Sequence, residues 1–177
     1  MSWHGLITIT EIQHIRNNKV IYEDKNIKNT LHAGGELYML TTCFNNPSVY
    51  PPANYYFGLD NRSSIEVNQT IEDISGEPAN SPNDTGYARQ AVASSGDNFV
   101  LETVNGIYRA TSKIITFSAN IAGNGFGPVS KLFLATSSDN TGILIASNAL
   151  STTFTLTPGD SITVRMALSL QDITITV

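Results

Sequence analysis

The sequence has little cysteine, little basic charge and no long apolar run, and each shortage excludes a class of protein. Its 177 residues include one cysteine, Cys43, so neither an intrachain disulfide nor a zinc site built from cysteines can form. Ten Lys and Arg residues stand against fifteen Asp and Glu residues, which gives a formal net charge of −5. Because nonspecific binding to nucleic acids requires clustered Lys and Arg, we expect no nucleic-acid partner.

Long apolar segments are also missing. No stretch reaches the roughly 18 consecutive apolar residues of a transmembrane helix, so we expect no membrane partner. The first residues, MSWHGLITITEIQ, lack a basic start followed by an apolar run, so we expect no secretory signal and synthesis in a cytoplasm. Only 14% of the residues are charged. A polar surface built largely from Ser, Thr and Asn is typical of strand-rich folds.

Alternation of apolar and polar residues predicts β-strands along most of the chain. Residues 6–12, LITITEI, alternate with a period of two, and the turn residues of RNNKV separate them from KVIYEDKNI, which predicts an N-terminal hairpin. From Tyr87 onward, short runs of the same kind are separated by turn signals, of which Asn105-Gly106 is the clearest. We therefore predict a mainly β protein, an antiparallel, jelly-roll-like β-sandwich.

One segment has the spacing of a helix. Ala33, Leu37, Leu40 and Phe44 are separated by four, three and four residues, which predicts one short helix that Asn29 or Thr30 would cap. The predicted organisation has two parts. Residues 1–45, the hairpin and the helix, form an assembly element, and residues 46–177 form the sandwich with a long loop at 60–86 that is either functional or ordered by a partner.

The glycines of IAGNGFGPVSK raise the question of a phosphate-binding loop. Such a loop requires a helix N-terminus after it, because the helix supplies aligned N–H groups. Here Gly123, Gly125 and Gly127 are followed by Pro128 and then by a strand-like alternation. We therefore predict a bend between two strands.

Catalytic and metal-binding patterns are weak. His4, His14 and His32 lie in three different predicted elements, so we expect no metal site, and we expect His32 on the surface. Cys43 is predicted to be a small buried core residue. The acidic residues Glu72, Asp73 and Glu77 are predicted to be solvated on a loop, although two acids meeting in a cleft would indicate a hydrolase. No catalytic residue, cofactor or metal ligand is predicted, and the protein is expected not to be an enzyme. The turns SSDNTG and SPNDTG leave calcium binding open.

Aromatic residues follow a proline-rich loop in NPSVYPPANYYFGLDN. Tyr50, Tyr55, Tyr56 and Phe57 would indicate a carbohydrate-binding module if they were exposed and aligned, whereas alternate residues of an ordinary strand would be buried. This module is the alternative of a different functional class.

Several segments, in this order, resemble a family of small structural proteins of tailed bacteriophages: GLITITEI, NKVIYEDKNIKNTL, GGELYML, NYYFGLDN, GEP, GYARQAV, ITFSA, GPVSKLFLAT, GILIASNAL and GDSITVRMALSL. The resemblance covers nearly the whole chain. It implies a non-enzymatic virion component, either a head decoration (cement) protein that binds the phage major capsid protein and stabilises the capsid, or a small tail, neck or baseplate fibre or adaptor. It transfers no catalytic residues.

The predicted hairpin carries apolar residues on both faces, and one face requires a neighbour because an isolated hairpin is marginal in water. The resemblance adds the number three, since such proteins commonly sit on three-fold axes. We therefore expect a homotrimer, against the alternative of a monomer whose hairpin joins its own sandwich. The possible partner contacts are Ile7, Ile9, Val20, Tyr22, Tyr50 and Tyr55.

Overall fold

A computed structural model of the protein describes residues 3–28, 30–45 and 50–172, and these residues form a mainly β fold. The strands are β1 (Trp3–Arg16), β2 (Lys19–Lys28), β3 (Thr30–Leu31), β4 (Asn54–Asp60), β5 (Gln90–Ala93), β6 (Phe99–Val104), β7 (Ile107–Ser112), β8 (Ile115–Ser118), β9 (Phe126–Ala135), β10 (Leu144–Leu156) and β11 (Ser161–Asp172). Helix α1 (Ala33–Leu40) continues into a π-helical segment (Thr41–Asn45), and a 3₁₀ turn covers Ile71–Asp73.

The strands form two antiparallel sheets. The six-stranded sheet has the order β2-β1-β11-β7-β6, with β8 also paired to β11, and the five-stranded sheet has the order β3-β10-β9-β4-β5. The core lies between the sheets and is built from side chains such as Ile9, Phe57, Leu132, Leu156 and Ile162, each almost completely buried. The predicted mainly β, two-sheet sandwich is confirmed.

The N-terminal hairpin is part of this sandwich and not a separate element. Asn17 and Asn18 have left-handed backbone angles, with φ of 49° and 58°, which a tight two-residue hairpin turn requires. Strand β1 then pairs with β2 on one side and with β11 on the other. The sandwich therefore begins at the start of the described chain, and the predicted division at residue 45 does not separate two bodies.

The long loop at 60–86 is held by its own chain. Ile71 and Ile74 pack with Phe133, Ala135 and Leu144 in a second apolar cluster. Neighbouring β9 residues belong to the main core, so β9 is buried on both faces and the loop supplies the cover for its outer face. The packing explains how such a long loop is ordered without a partner.

The glycine-rich segment before β9 is a bend between strands, as predicted. Strand β9 begins at Phe126, so no helix N-terminus follows the glycines. A Cβ on Gly123 would lie 1.5 Å from the Asp84 carbonyl oxygen, and Gly125 has a φ of +71°. These glycines serve a close backbone approach and a left-handed turn and do not form a phosphate site.

Candidate interaction surface

Helix α1 is apolar on two faces, of which the fold buries one. Gly35 is buried, and Tyr38 and Met39 pack against the core. A Cβ on Gly35 would lie 2.4 Å from the Ile145 carbonyl oxygen, so the missing side chain lets the helix lie directly on β10. This contact determines which face of the helix points inward.

The opposite face of the helix carries large apolar side chains into solvent. Leu37, Leu40 and Phe44 are 66%, 58% and 85% exposed, and their spacing places them along one side of α1 and its π-helical continuation. We call these three residues the outer stripe. The helix predicted from their spacing is confirmed at 33–40, but the predicted caps are not found: the N-cap is His32. Asn29 lies outside the described residues. Cys43, predicted to be buried, is exposed.

An apolar cleft opens between the sheets beside α1. It has a volume of about 420 Å³ and is walled by Tyr38 and Met39 of α1, Tyr55 of β4, and Phe99 and Leu101 of β6, with Ile145 and Met166 at its base. Among the described residues that line it, hydroxyl groups come from Tyr38, Tyr55, Ser94 and Ser95. Leu101 at the rim is 82% exposed. The cleft is therefore a gap in the packing of the two sheets that opens to solvent along β6.

The six predicted partner contacts fall into four groups. Tyr50 and Val20 are more than half exposed, which is compatible with a contact. Ile9 is fully buried in the main core, because β1 is an inner strand of the six-stranded sheet, so its prediction as a contact is wrong. The backbone of Ile7 pairs with Leu168 in β11, and its side chain lies outside the described residues.

The two remaining tyrosines, Tyr22 and Tyr55, make contacts within their own chain. Tyr22 packs edge-on against Phe154, with ring centres 5.0 Å apart, and its hydroxyl donates to Asp24. The ring of Tyr55 packs edge-on against that of Phe99, with ring centres 5.9 Å apart, and the Tyr55 hydroxyl lies 3.3 Å from the Tyr38 hydroxyl. Burial raises the pKa of Tyr55. Strand β1 of the hairpin is covered by its own chain, whereas Val20 and Ile21 of the edge strand β2 are about half exposed. The homotrimer stays a prediction.

A buried polar cluster links the start of α1, the long loop and β10. His32, predicted on the surface, is fully buried, and its Nε2 lies 2.8 Å from Ser147 Oγ. Arg62 donates a hydrogen bond to the same hydroxyl and lies 3.3 Å from Asp60. Burial lowers the pKa of His32, and the Arg62 charge acts in the same direction; burial raises the pKa of Asp60 against the effect of the Arg62 charge. Spacing could not reveal this cluster, because its members are far apart in sequence.

The Ser147–His32 pair has the geometry of a nucleophile and its base, but both residues are completely buried. No substrate can reach the hydroxyl in this fold, so the cluster fastens three segments together. His14, which is also buried, contacts Asp160, and Asp160 accepts hydrogen bonds from Arg16. Among residues 3–28, 30–45 and 50–172, no group of three or more His, Cys, Asp or Glu side chains is arranged to hold a metal ion.

The three acidic residues of the long loop do not meet in a cleft. The Asp73 carboxylate accepts a hydrogen bond from the Thr70 backbone at 2.7 Å and closes a capping box on the 3₁₀ turn. Glu77 pairs with Arg89 at 2.6 Å and contacts the Tyr87 hydroxyl at 2.8 Å. Glu72 is exposed. Their roles are to cap a turn and to anchor the loop, which is not the arrangement of a hydrolase.

The aromatic residues at 50–57 do not form a platform for a sugar. Tyr50 is exposed, but Tyr55 lines the cleft and Phe57 is completely buried between the sheets. Tyr56 is partly buried, and strand alternation places it on the face of β4 opposite Tyr55 and Phe57, so the four rings are not exposed together in one row.

Comparison with family models, curated proteins and solved structures finds no match for this chain. Within the part of the chain that the structure describes, no helix has the length and apolarity needed to cross a membrane. The candidate surface therefore rests on geometry: the outer stripe on α1, and the apolar cleft with its rim on β6.

Proposed function

We propose that the protein is a non-enzymatic structural component of a tailed-phage virion, a decoration protein that binds the assembled capsid through the outer stripe of α1. The observation that carries this proposal is the stripe itself. A surface helix of a soluble domain normally turns its apolar side to the core, whereas Leu37, Leu40 and Phe44 point to solvent. A helix that keeps large apolar residues on its outer side has the features of a docking element.

The size of the stripe fits a protein partner. From their exposed fractions, the three side chains offer about 400 Å² of apolar surface, in the range of the largest patches on soluble proteins, which are often functional. No Lys or Arg occurs between residues 31 and 61. The stripe therefore suits an apolar groove on another protein better than an anionic surface. The resemblance of the sequence names that partner class as the phage major capsid protein.

The burial of the Ser147–His32 pair supports a role without catalysis, because activation of a serine requires access for a substrate. The separation of the loop acids supports it as well. A tail, neck or baseplate position remains the alternative, since a helix with an exposed apolar stripe can dock to either part of a particle.

Particles from a lysate that contains the protein provide the test. Gradient-purified particles are analysed by mass spectrometry, and antibody-gold labelling locates the protein on the particle. Binding is then measured by co-sedimentation of purified protein with particles that lack it, for the wild type, Leu40→Glu and Ile121→Glu. Ile121 is as exposed as the stripe but lies in the loop before β9, so Ile121→Glu is the matched control.

We expect the protein in particles, gold over the heads, loss of binding for Leu40→Glu and retained binding for Ile121→Glu. Gold over the tails would move the assignment to the alternative position. Absence from purified particles would overturn the proposal, and equal binding of both variants would reject the outer stripe as the docking element.

A further inference from the structure

Strand β6 is the least protected edge of the two sheets. Edge strands invite pairing with other chains, and proteins usually blunt them with short length, lysines or bulges. Strand β2, the other edge of the same sheet, carries Lys19, Lys25 and Lys28 and a left-handed residue at Asn26. Of the other edge strands, β8 in the same sheet and β5 in the other sheet have four residues each, and β3 has two. Strand β6, FVLETV, has six residues with neither lysine nor proline.

The backbone of β6 points its free groups outward at defined positions. Asn105 and Gly106 form a two-residue turn with φ of 53° and 80°, and Val104 pairs with Ile107. In such a hairpin, hydrogen-bonded and non-hydrogen-bonded pairs alternate from the turn onward. Leu101 and Thr103 therefore turn their N–H and C=O groups to the open side. The N–H of Phe99 is already bonded to the Ser95 carbonyl.

We propose that β6 pairs antiparallel with β6 of a second copy of this chain, across a two-fold axis at Leu101. In this register the two Leu101 residues exchange their free N–H···O bonds, and Phe99 of each copy lies opposite Thr103 of the other. Val100 lies opposite Glu102. If each strand were shifted by one residue toward the turn, Glu102 would lie opposite Glu102 of the other copy, and repulsion between the two carboxylates disfavours that register.

The side chains fit a second copy because they are self-complementary. Leu101 and Tyr108 are 82% and 80% exposed, and strand alternation places Tyr108 on the same face as Ala110, a cleft-lining residue. These two side chains offer about 300 Å² per copy, out of the roughly 800 Å² per partner that a stable interface needs. The free edge backbone of β6 and the cleft residues beside it add to this area. Each copy thus contributes its Leu101 to closing the cleft of the other.

This contact does not depend on the proposed virion role, because it is a property of the purified chain. It also differs from the three-fold contact predicted from the resemblance. That prediction placed the contact on the N-terminal hairpin, whose inner strand β1 is occupied on both sides by β2 and β11.

Light scattering coupled to size exclusion, at about 10 to 100 μM full-length protein, measures the assembly. We expect the mass of a dimer, and a dissociation constant raised more than about tenfold by Leu101→Lys, which places two ammonium groups face to face. Because Leu101 is exposed in one copy, this variant should keep its far-ultraviolet circular dichroism. Ile121→Lys and Leu40→Lys are the matched controls and should leave the mass unchanged.

Crosslinking tests the register. Opposed residues in a hydrogen-bonded antiparallel pair have Cα atoms about 5.5 Å apart, within the range of a disulfide. In a Cys43→Ser background, Leu101→Cys should form a disulfide-linked dimer under mild oxidation, whereas Ile121→Cys at the same concentration should not. A monomer or a trimer in solution, a dimer unaffected by Leu101→Lys, or equal crosslinking of the two cysteine variants would each overturn the proposal.

Discussion

Replacement of Gly58 by alanine should destabilise the protein through one aromatic ring. Gly58 in β4 lies directly opposite Phe133 in β9, and the Phe133 ring covers the glycine. A Cβ at Gly58 would lie 2.1 Å from the nearest ring carbon, and the three nearest atoms all belong to this ring. Normal carbon contacts begin at about 3.5 Å, so the ring or the strand must move.

The ring has little room to retreat. Phe133 is completely buried, and the guanidinium of Arg89 lies over it at 5.0 Å from the ring centre. Arg89 is itself fixed by hydrogen bonds of 2.6 Å to Glu77 and to Asn140. Overpacking of a well-packed site costs about 1–3 kcal/mol, and we expect Gly58→Ala in the upper half of that range because the ring is held from both sides.

Urea unfolding followed by circular dichroism measures this loss. Gly96→Ala is the matched control: a Cβ there meets nothing within 4 Å, so its free energy of unfolding should stay within about 0.5 kcal/mol of the wild type or rise slightly. The double variant Gly58→Ala/Phe133→Leu should cost less than the sum of its parts by about 1 kcal/mol or more, since the smaller side chain leaves room for the methyl group. Equal stability of Gly58→Ala and Gly96→Ala, or strict additivity in the double variant, would refute this reasoning.

Three further changes test the buried polar groups in the same assay. Tyr87→Phe should lower the free energy of unfolding by about 1–3 kcal/mol, because the Leu59 N–H now donates to the Tyr87 hydroxyl at 2.9 Å and would lose that acceptor. An unchanged free energy of unfolding would contradict this contact. Burial lowers the pKa of His32, so protonation of this side chain favours the unfolded state below the ordinary histidine pKa. The free energy of unfolding should therefore fall between about pH 7 and pH 5, by up to ~1.4 kcal/mol per pH unit. The variant His32→Gln should flatten this slope, and an unchanged slope would assign the pH dependence to another group. The Arg16 guanidinium holds the pKa of Asp160 well below its usual range. The loss in free energy of unfolding caused by Asp160→Asn should therefore be full at neutral pH, persist at pH 4 and shrink only in stronger acid. A loss that vanishes by pH 5 would contradict this prediction.

The strands and their turns could be predicted from the sequence because their signals are local. Alternation placed β1, β2 and β4, and the asparagines at 17 and 18 and at 105 adopt the left-handed angles that two-residue hairpins require. Where local signals ran together, the boundaries shifted. The segment IYRATSKIITFSA, which contains neither glycine nor proline, holds two strands, β7 and β8, and β10 is one strand that spans most of both GILIASNAL and TFTLT.

The burial of individual residues could not be predicted in the same way. Apolar spacing identified the helix, but Tyr38 and Met39 make its other side apolar too, and the close fit of Gly35 on Ile145 decides which side is buried. That contact joins residues more than a hundred positions apart. The same tertiary choice leaves Cys43 exposed and encloses His32, since the residue before α1 lies under the long loop and beside Ser147.

The contrast between covered and bare apolar surfaces supports a functional reading of the bare ones. The chain uses its longest loop to cover the outer face of β9, packing Ile71 and Ile74 on Phe133 and fastening the segment through Glu77 and Arg89. This fold can therefore cover an apolar surface with a loop of its own chain. Yet the outer stripe of α1 and Leu101 at the rim of β6 stay exposed. Exposed apolar surface gives no stability to an isolated chain, which is consistent with the two proposals, another protein on α1 and a second copy on β6.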